Sequence, residues 1–417
     1  MELLEINNNI TYPLVESNNG LTVNSIVKIN CSMTYDHFFS QHLLKNQPCV
    51  IEKGIVNKWP CAQQWSLDDA PNFQYLRQFY GNYQVPVANC NIKYYNAQLK
   101  DAMTLNQFLN YWEEFKSKNY PKEMLVLYLK DWHCLKANPN SIFYTVPKYF
   151  ASDWLNEYYL AHPDLNDDYM FVYMGPKGSW TPLHVDVFKS YSWSANIVGK
   201  KRWLLFPPGE ENNLCDARGH LVYDVDNLEY NKVLNNNKYL EIIQNPGEIV
   251  FVPSGWHHQV WNLEDTISIN HNWINGCNIL NVWMELKNAL KSVMKEIEDC
   301  LSMENWLSHC QIILKASHGI DYQQFYDFLS FIIEKRLNAI NKQKDCTIFD
   351  TWKFGRNHLL FDLDRAKEVL NNLIVDSKEK NIYDIVFCES RPENLLDRVE
   401  SILKYQNIYS LPNYNEN

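Results

Sequence analysis

Residues 180–186 read WTPLHVD and residues 253–260, far down the chain, read PSGWHHQV; any fold of this sequence is constrained by the need to bring them together. Side chains alternate faces along an extended strand, so His184 and Asp186 can share one face and hold one ion between them. A third ligand then has to come from elsewhere. His258 follows a Pro-Gly turn inside a β-rich run, which suits a neighbouring strand returning to the same pocket. Two imidazoles and one carboxylate with open positions beside them make the facial triad of non-haem Fe(II) sites. A His-x-Asp alone is more often a solvated hydrogen-bonding pair, so the reading needs a second signal. That signal is the run GKKRWLLFPP over 199–208, in which Lys201 enters an otherwise apolar strand. A buried cation is costly unless an anion meets it, and a dicarboxylate co-substrate would be such an anion.

Five blocks carry a specific resemblance: 175–186 (GPKGSWTPLHVD), 199–208, 246–248 (PGE), 253–258 and 267–273 (ISINHNW). Their order and spacing resemble the jumonji C (JmjC) family of Fe(II)- and 2-oxoglutarate-dependent oxygenases. The likeness spans about Tyr169 to Trp273, with weaker similarity back to the run PCVI at 48–51. It implies an α+β chain built on a double-stranded β-helix, the cupin-like jelly roll. It also implies that His184, Asp186 and His258 are the catalytic metal ligands for Fe(II), with 2-oxoglutarate and dioxygen as co-substrates. Lys201 would meet the distal carboxylate of 2-oxoglutarate, with the Thr181 hydroxyl beside it. Tyr128 is either a core tyrosine or a further contact to that carboxylate. Ser194 stands where many members have Asn, Asn270 where a relative has Thr, and Asn272 matches an Asn near the metal. Of the neighbouring pairs, the family pattern favours His258 over His257 and Lys201 over Lys200. His220 and His271 have no spacing that recommends them.

Within the family, the likeness implies hydroxylation of a lysyl side chain, with the translation termination factor as protein substrate and 2-oxoglutarate decarboxylated to succinate. An N-methyl-lysine demethylase is the alternative, and a non-catalytic cupin-fold scaffold is a third reading. The absence of a chromatin-reader or zinc-cluster motif weighs against the second. Retention of His184, Asp186, His258 and Lys201 together weighs against the third.

Composition narrows the partners. The formal net charge of −11 argues against direct binding to nucleic acid and suits a basic protein partner or a small molecule. The 11 cysteines are spread singly, which is neither a disulfide framework nor a zinc module. There is no basic, apolar leader and no stretch long enough for a membrane span. The expectation is a cytoplasmic or nuclear protein that is not in a membrane.

A chain of 417 residues, 46% hydrophobic, can bury a large core. The texture divides it into an N-terminal arm (1–40), a JmjC catalytic domain (41–277, core motifs 169–273) and a C-terminal helical region (278–417). The arm is polar, with Asn7 to Asn9 and Ser17 to Gly20 as turns. Helices are expected from Thr34, through Phe73 to Gly81, and from an N-cap at Thr104 to Phe115; a strand is expected over 124–132. In 191–198 and 266–273 polar residues alternate with apolar ones, so each strand has one wet face, read here as the lining of a pocket. The Asn- and Asp-rich stretch 210–238 reads as a solvated surface loop, and the helices beyond Cys277 as packing stripes and a candidate homodimer surface.

Overall fold

The computed structural model describes residues 1–7, 25–139, 141–215, 219–227, 238–342, 345–388 and 390–409. The expected turns at Asn8, Asn9 and Ser17 to Gly20 lie outside them, as do 216–218 and 228–237 of the Asn-rich stretch.

Eighteen strands run through the described residues: β1 (Glu2–Leu4), β2 (Val27–Ile29), β3 (Cys49–Ile51), β4 (Ser66–Leu67), β5 (Ala70–Pro71), β6 (Gln84–Tyr94), β7 (Ala97–Thr104), β8 (Leu127–Trp132), β9 (Met170–Gly175), β10 (Trp180–His184), β11 (Tyr191–Val198), β12 (Lys201–Phe206), β13 (Leu240–Gln244), β14 (Ile249–Val252), β15 (His257–Asn262), β16 (Thr266–Trp273), β17 (Thr347–Ile348) and β18 (Trp352–Phe354). Two sheets make the jelly roll. The larger has nine strands in the order β2-β3-β14-β11-β16-β9-β8-β6-β7; the smaller has four, β10-β15-β12-β13.

Alternation decides which face of the large sheet is wet. On β11, Tyr191, Trp193, Ala195 and Ile197 belong to one large apolar cluster that includes the helices, while Ser192 and Ser194 turn the other way and line a cavity. On β16, Ile267, Ile269 and Trp273 join the same cluster; Ser194 pairs with Asn270 and Ser192 with Asn272 across the two strands. The interior between the sheets is therefore polar along β11 and β16. Towards β3, β14, β12 and β13 it is apolar and filled by Val50, Val250, Val252, Trp203, Leu205 and Ile242.

The segment expected to be a solvated loop does more than that. Leu214, Val222 and Val225 are buried with Leu183, Leu204 and Phe206, so its described flanks cover the outer face of the small sheet. That face would otherwise expose three large apolar side chains, which is the physical reason the segment lies down on it.

Helices clothe the other side. α1 (Tyr35–Phe38), α2 (Pro60–Gln64), α3 (Phe73–Tyr80), α4 (Leu105–Ser117), α5 (Cys134–Ala137) and α6 (Trp154–Ala161) precede or interrupt the sheets. α4 begins with a capping box in which Thr104 and Gln107 bond each other's backbone N–H groups, and it buries Leu105, Phe108, Leu109 and Trp112. The C-terminal layer is α7 (Ile279–Glu296), α8 (Trp306–His318), α9 (Tyr322–Asn341), α10 (Arg356–Glu379), α11 (Tyr383–Val386) and α12 (Pro392–Tyr409). One apolar cluster runs from Leu4 to Val399 across the texture changes near 40 and 277. The N-terminal strand is part of it: β1 pairs in parallel with β18, and β2 with β3.

Candidate active site

His184 and His258 are direct cross-strand partners on β10 and β15, with ring centroids 4.2 Å apart. Asp186 is not on the strand. β10 ends at His184, and Asp186 follows in extended backbone (φ −63, ψ 151) before a short 3-10 turn at 187–189. The expected alternation is thus carried two residues past the strand's end, with Asp186 itself in extended backbone. One ligand atom from each of the three side chains lies within 4.8 Å of the others.

The hydrogen-bond pattern fixes what these atoms offer. His184 Nδ1 is 2.8 Å from the Pro182 carbonyl oxygen, and His258 Nδ1 is 3.1 Å from that of Trp256. A carbonyl only accepts, so each Nδ1 carries the proton and each Nε2 presents a lone pair. Burial, and then the neighbouring His258 ring, push the His184 imidazole well below its ordinary pKa, which keeps it neutral. Asp186 Oδ2 is buried without a hydrogen-bond partner, 4.0 Å from His258 Nε2. Two ring nitrogens and an orphaned carboxylate oxygen converge within 4.8 Å of one another. Such a cluster is satisfied by a cation, and the donor set of two nitrogens and one oxygen suits Fe(II).

The triad sits in the wall of a cavity of about 450 Å³. All nine residues singled out in the sequence line it: Tyr128, Thr181, His184, Asp186, Ser194, Lys201, His258, Asn270 and Asn272. Lys201 is 1% exposed, and its ammonium donates to Ser268 Oγ at 2.6 Å, 5.9 Å from the Trp203 ring. Among the described residues it has no carboxylate partner, and burial alone pushes its pKa down to about 7. The Ser194 hydroxyl is likewise buried without a hydrogen-bond partner. Asn270 Nδ2 donates to Ser268 Oγ at 3.1 Å, and Asn272 Nδ2 to Ser190 Oγ at 3.1 Å. The Tyr128 ring lies against Gly175, where a Cβ would come within 2.5 Å of it.

The competing residues fall elsewhere. Lys200 pairs with Glu264 at 2.9 Å on the surface, and His257 does not line the cavity. His271 is a core histidine, bonded through Nε2 to the Tyr144 hydroxyl at 2.6 Å and stacked on Trp193.

Sequence reasoning missed several lining or supporting groups. Ser268, the partner of Lys201, was visible only as one member of an alternating strand. Lys130 gave the same signal as Lys201, a cation inside an apolar strand, and lines the cavity. Asp131, Asp167 and Asp168, with Tyr169, Phe171 and Tyr173, also line it and gave no signal at all; Asp167 is exposed and Asp168 buried. A second cavity of about 430 Å³ shares Val185, Asp186 and Val187 with the first and is closed on its far side by residues of α7, α8 and α9.

Comparison with known proteins agrees with this geometry. The cupin-like domain family matches residues 35–278. The chain is 44% identical over 387 residues to the 2-oxoglutarate and iron-dependent oxygenase JMJD4 of Gallus gallus, covering 89% of this chain and 90% of that protein. It is 42% identical over 376 residues to the Homo sapiens protein of the same name, covering 88% and 89%. It is also 41% identical over 336 residues to the arginine-specific demethylase JMJ20 of Arabidopsis thaliana, covering 74% and 70%.

Proposed function

The chain belongs to the cupin-like family of 2-oxoglutarate and iron-dependent oxygenases that includes JMJD4, and from that premise we propose that it hydroxylates a lysyl side chain of a protein substrate, the translation termination factor. The observation that carries the chemistry is the meeting of three lone-pair donors, His184, Asp186 and His258, in the same cavity as the uncompensated cation Lys201. His184, Asp186 and His258 would hold the iron, and Lys201 the distal carboxylate of 2-oxoglutarate. When bound, iron and 2-oxoglutarate supply the dioxygen chemistry, with succinate as the decarboxylated product.

The chain's own residues bind and orient. Pro182 O and Trp256 O accept from the two Nδ1 atoms and so orient both imidazoles with Nε2 toward the metal position. Ser268 fixes Lys201, and Ser194, with its hydroxyl free, can donate to a carboxylate beside it. The exposed carboxylate of Asp167 and the neighbouring rings of Tyr169 and Phe171 in the cavity lining support a cationic side chain as the group that enters. They support N-demethylation as well, since methylated lysine and arginine are cationic, and the name of the Arabidopsis relative favours that second reading.

Mass spectrometry separates the two. Recombinant termination factor is incubated with the protein, Fe(II) and 2-oxoglutarate, with Asp186→Ala as control. Gain of one oxygen on a lysine, absent in the control, is the expected result. An unmodified factor alongside loss of a methyl group from methylated arginine or lysine peptides would replace it with the demethylase reading.

A further inference from the structure

The second cavity, about 430 Å³, is walled by buried side chains from three helices: Leu155 of α6, Val282 and Leu286 of α7, and Phe325 and Phe328 of α9. Cores are close-packed, with few voids larger than a water molecule, so a space of this size among apolar side chains calls for an occupant. Its volume falls in the range of ligand pockets, roughly 300–1,000 Å³.

One wall joins it to the candidate active site. Tyr169, Val185, Asp186 and Val187 line both cavities, and Val187 is 52% exposed. The two spaces therefore reach solvent beside the same residue, with Asp186 between them. The backbone that follows Asp186 is strained. Phe188 (φ 57) and Lys189 (φ 49) are consecutive non-glycine residues in the left-handed region, which bulky side chains rarely adopt and which recurs at ligand sites. The strain is held from outside the segment: the Phe188 ring lies 5.9 Å from that of Tyr169, and the Lys189 ammonium pairs with Glu285 of α7 at 2.8 Å. Both residues line the second cavity.

The lining decides the class of occupant. Lys189 and Glu285 neutralise each other and Asp186 belongs to the triad, so the pocket meets an ion with no spare countercharge and an apolar group with aromatic and aliphatic surface. Two pits on one rim match two side chains of one peptide, since residues two apart on an extended chain point the same way, roughly 7 Å from each other. We propose that the second cavity is a specificity pocket for the protein substrate, taking the apolar side chain of a residue within two positions of the target lysine. The inference rests on the lysyl reading above and deepens it.

The test uses protein loaded with Fe(II) and 2-oxoglutarate under argon, which cannot turn over without dioxygen. Fluorescein-labelled nonapeptides with a central lysine among alanines carry Leu, Phe or Asp at one position within two residues of it, and fluorescence anisotropy gives their affinities. Leu or Phe at one such position is expected to bind about tenfold tighter than Ala, the lower end of what burying that side chain gives, and Asp no tighter. Leu286→Trp fills the pocket from its wall and Ile320→Trp from its half-buried edge. Both should erase the preference while 2-oxoglutarate affinity and melting temperature stay at wild-type values; if Leu286→Trp does not fold, Ile320→Trp decides. Lysine-dependent binding without an apolar preference, or a preference that survives the folded variants, would overturn the proposal and leave the lysyl reading standing. Peptides that bind no better than their norleucine-for-lysine counterparts would remove both.

Discussion

At the scale of single residues, the site is defined by side chains whose needs the protein does not meet. Lys201 is a buried ammonium with a serine for company, and Asp186 is a half-buried carboxylate with a buried, orphaned oxygen. A group in that condition has a pH signature. Burial holds the Lys201 pKa down to about 7 in the ligand-free protein, so the ammonium is progressively lost above neutrality. Binding of a dicarboxylate requires the charged form and draws a proton in as it binds. Affinity for 2-oxoglutarate should therefore be highest below pH 7 and fall as pH rises through it, approaching about tenfold per pH unit for this one group. Lys201→Met should weaken binding at pH 6.5 and reduce that slope by one proton, with metal content retained; calorimetry across pH 6 to 9 measures both. An unchanged slope in the variant would assign the proton elsewhere. These residues were legible because chemistry leaves marks in sequence: His-x-Asp, a distant second His and a cation in an apolar strand are common singly but improbable together without a ligand. Lys130 bore the same mark and was passed over, because nothing local says that β8 carries a bulge.

At the scale of elements, patterning worked where one strand or helix face decides the outcome. The alternation in 191–198 and 266–273 divides core from cavity as the two-residue period requires, and the stripes beyond Cys277 fall largely on the buried faces of α7, α9 and α10, with Met284 of the first stripe exposed. It failed where a neighbour decides. The bulge at Lys130 and Asp131 exists only in the register between β8 and β9, a cross-strand property absent from either strand alone. The end of β10 at His184 is set by its pairing with β15, so Asp186 reaches the site from outside the strand. The stretch 210–238 is polar in composition, yet three apolar residues at its described flanks are what the small sheet needs as a cover. Average polarity concealed them. Gly175 is an element-scale requirement of the same kind: an added Cβ would come within 2.5 Å of both Tyr128 and Ser179, so the close approach of β9 to the Tyr128 ring depends on its having none.

At the scale of the whole molecule, the core is continuous, and an ionic cluster ties its parts together. Arg336 of α9, 0% exposed, donates to both carboxylate oxygens of Glu157 on α6, at 2.6 and 2.8 Å, and to Asp362 of α10 at 2.8 Å. Burial would raise both carboxyl pKa values. Arg336 and then Lys335 at Glu157, and His358 and then Arg336 at Asp362, outweigh it and hold both below the usual carboxylate range. Removing the arginine leaves buried charge behind, so Arg336→Met should cost about 3–5 kcal/mol of stability, read by chemical denaturation. A loss below about 1 kcal/mol would show that the cluster is dispensable. The C-terminal helices are thereby fixed against α6, next to the cavity that shares Asp186 with the site. The central claim is that one constellation, His184, Asp186 and His258, makes this molecule an iron- and 2-oxoglutarate-dependent oxygenase. The most direct measurement is bound iron together with succinate formed from 2-oxoglutarate, in the wild-type protein, His184→Ala, His258→Ala and, as the neighbouring control, His257→Ala. Loss of both iron and turnover in the first two variants, with His257→Ala close to wild type, is the predicted result. Turnover retained in His184→Ala or His258→Ala would contradict the account.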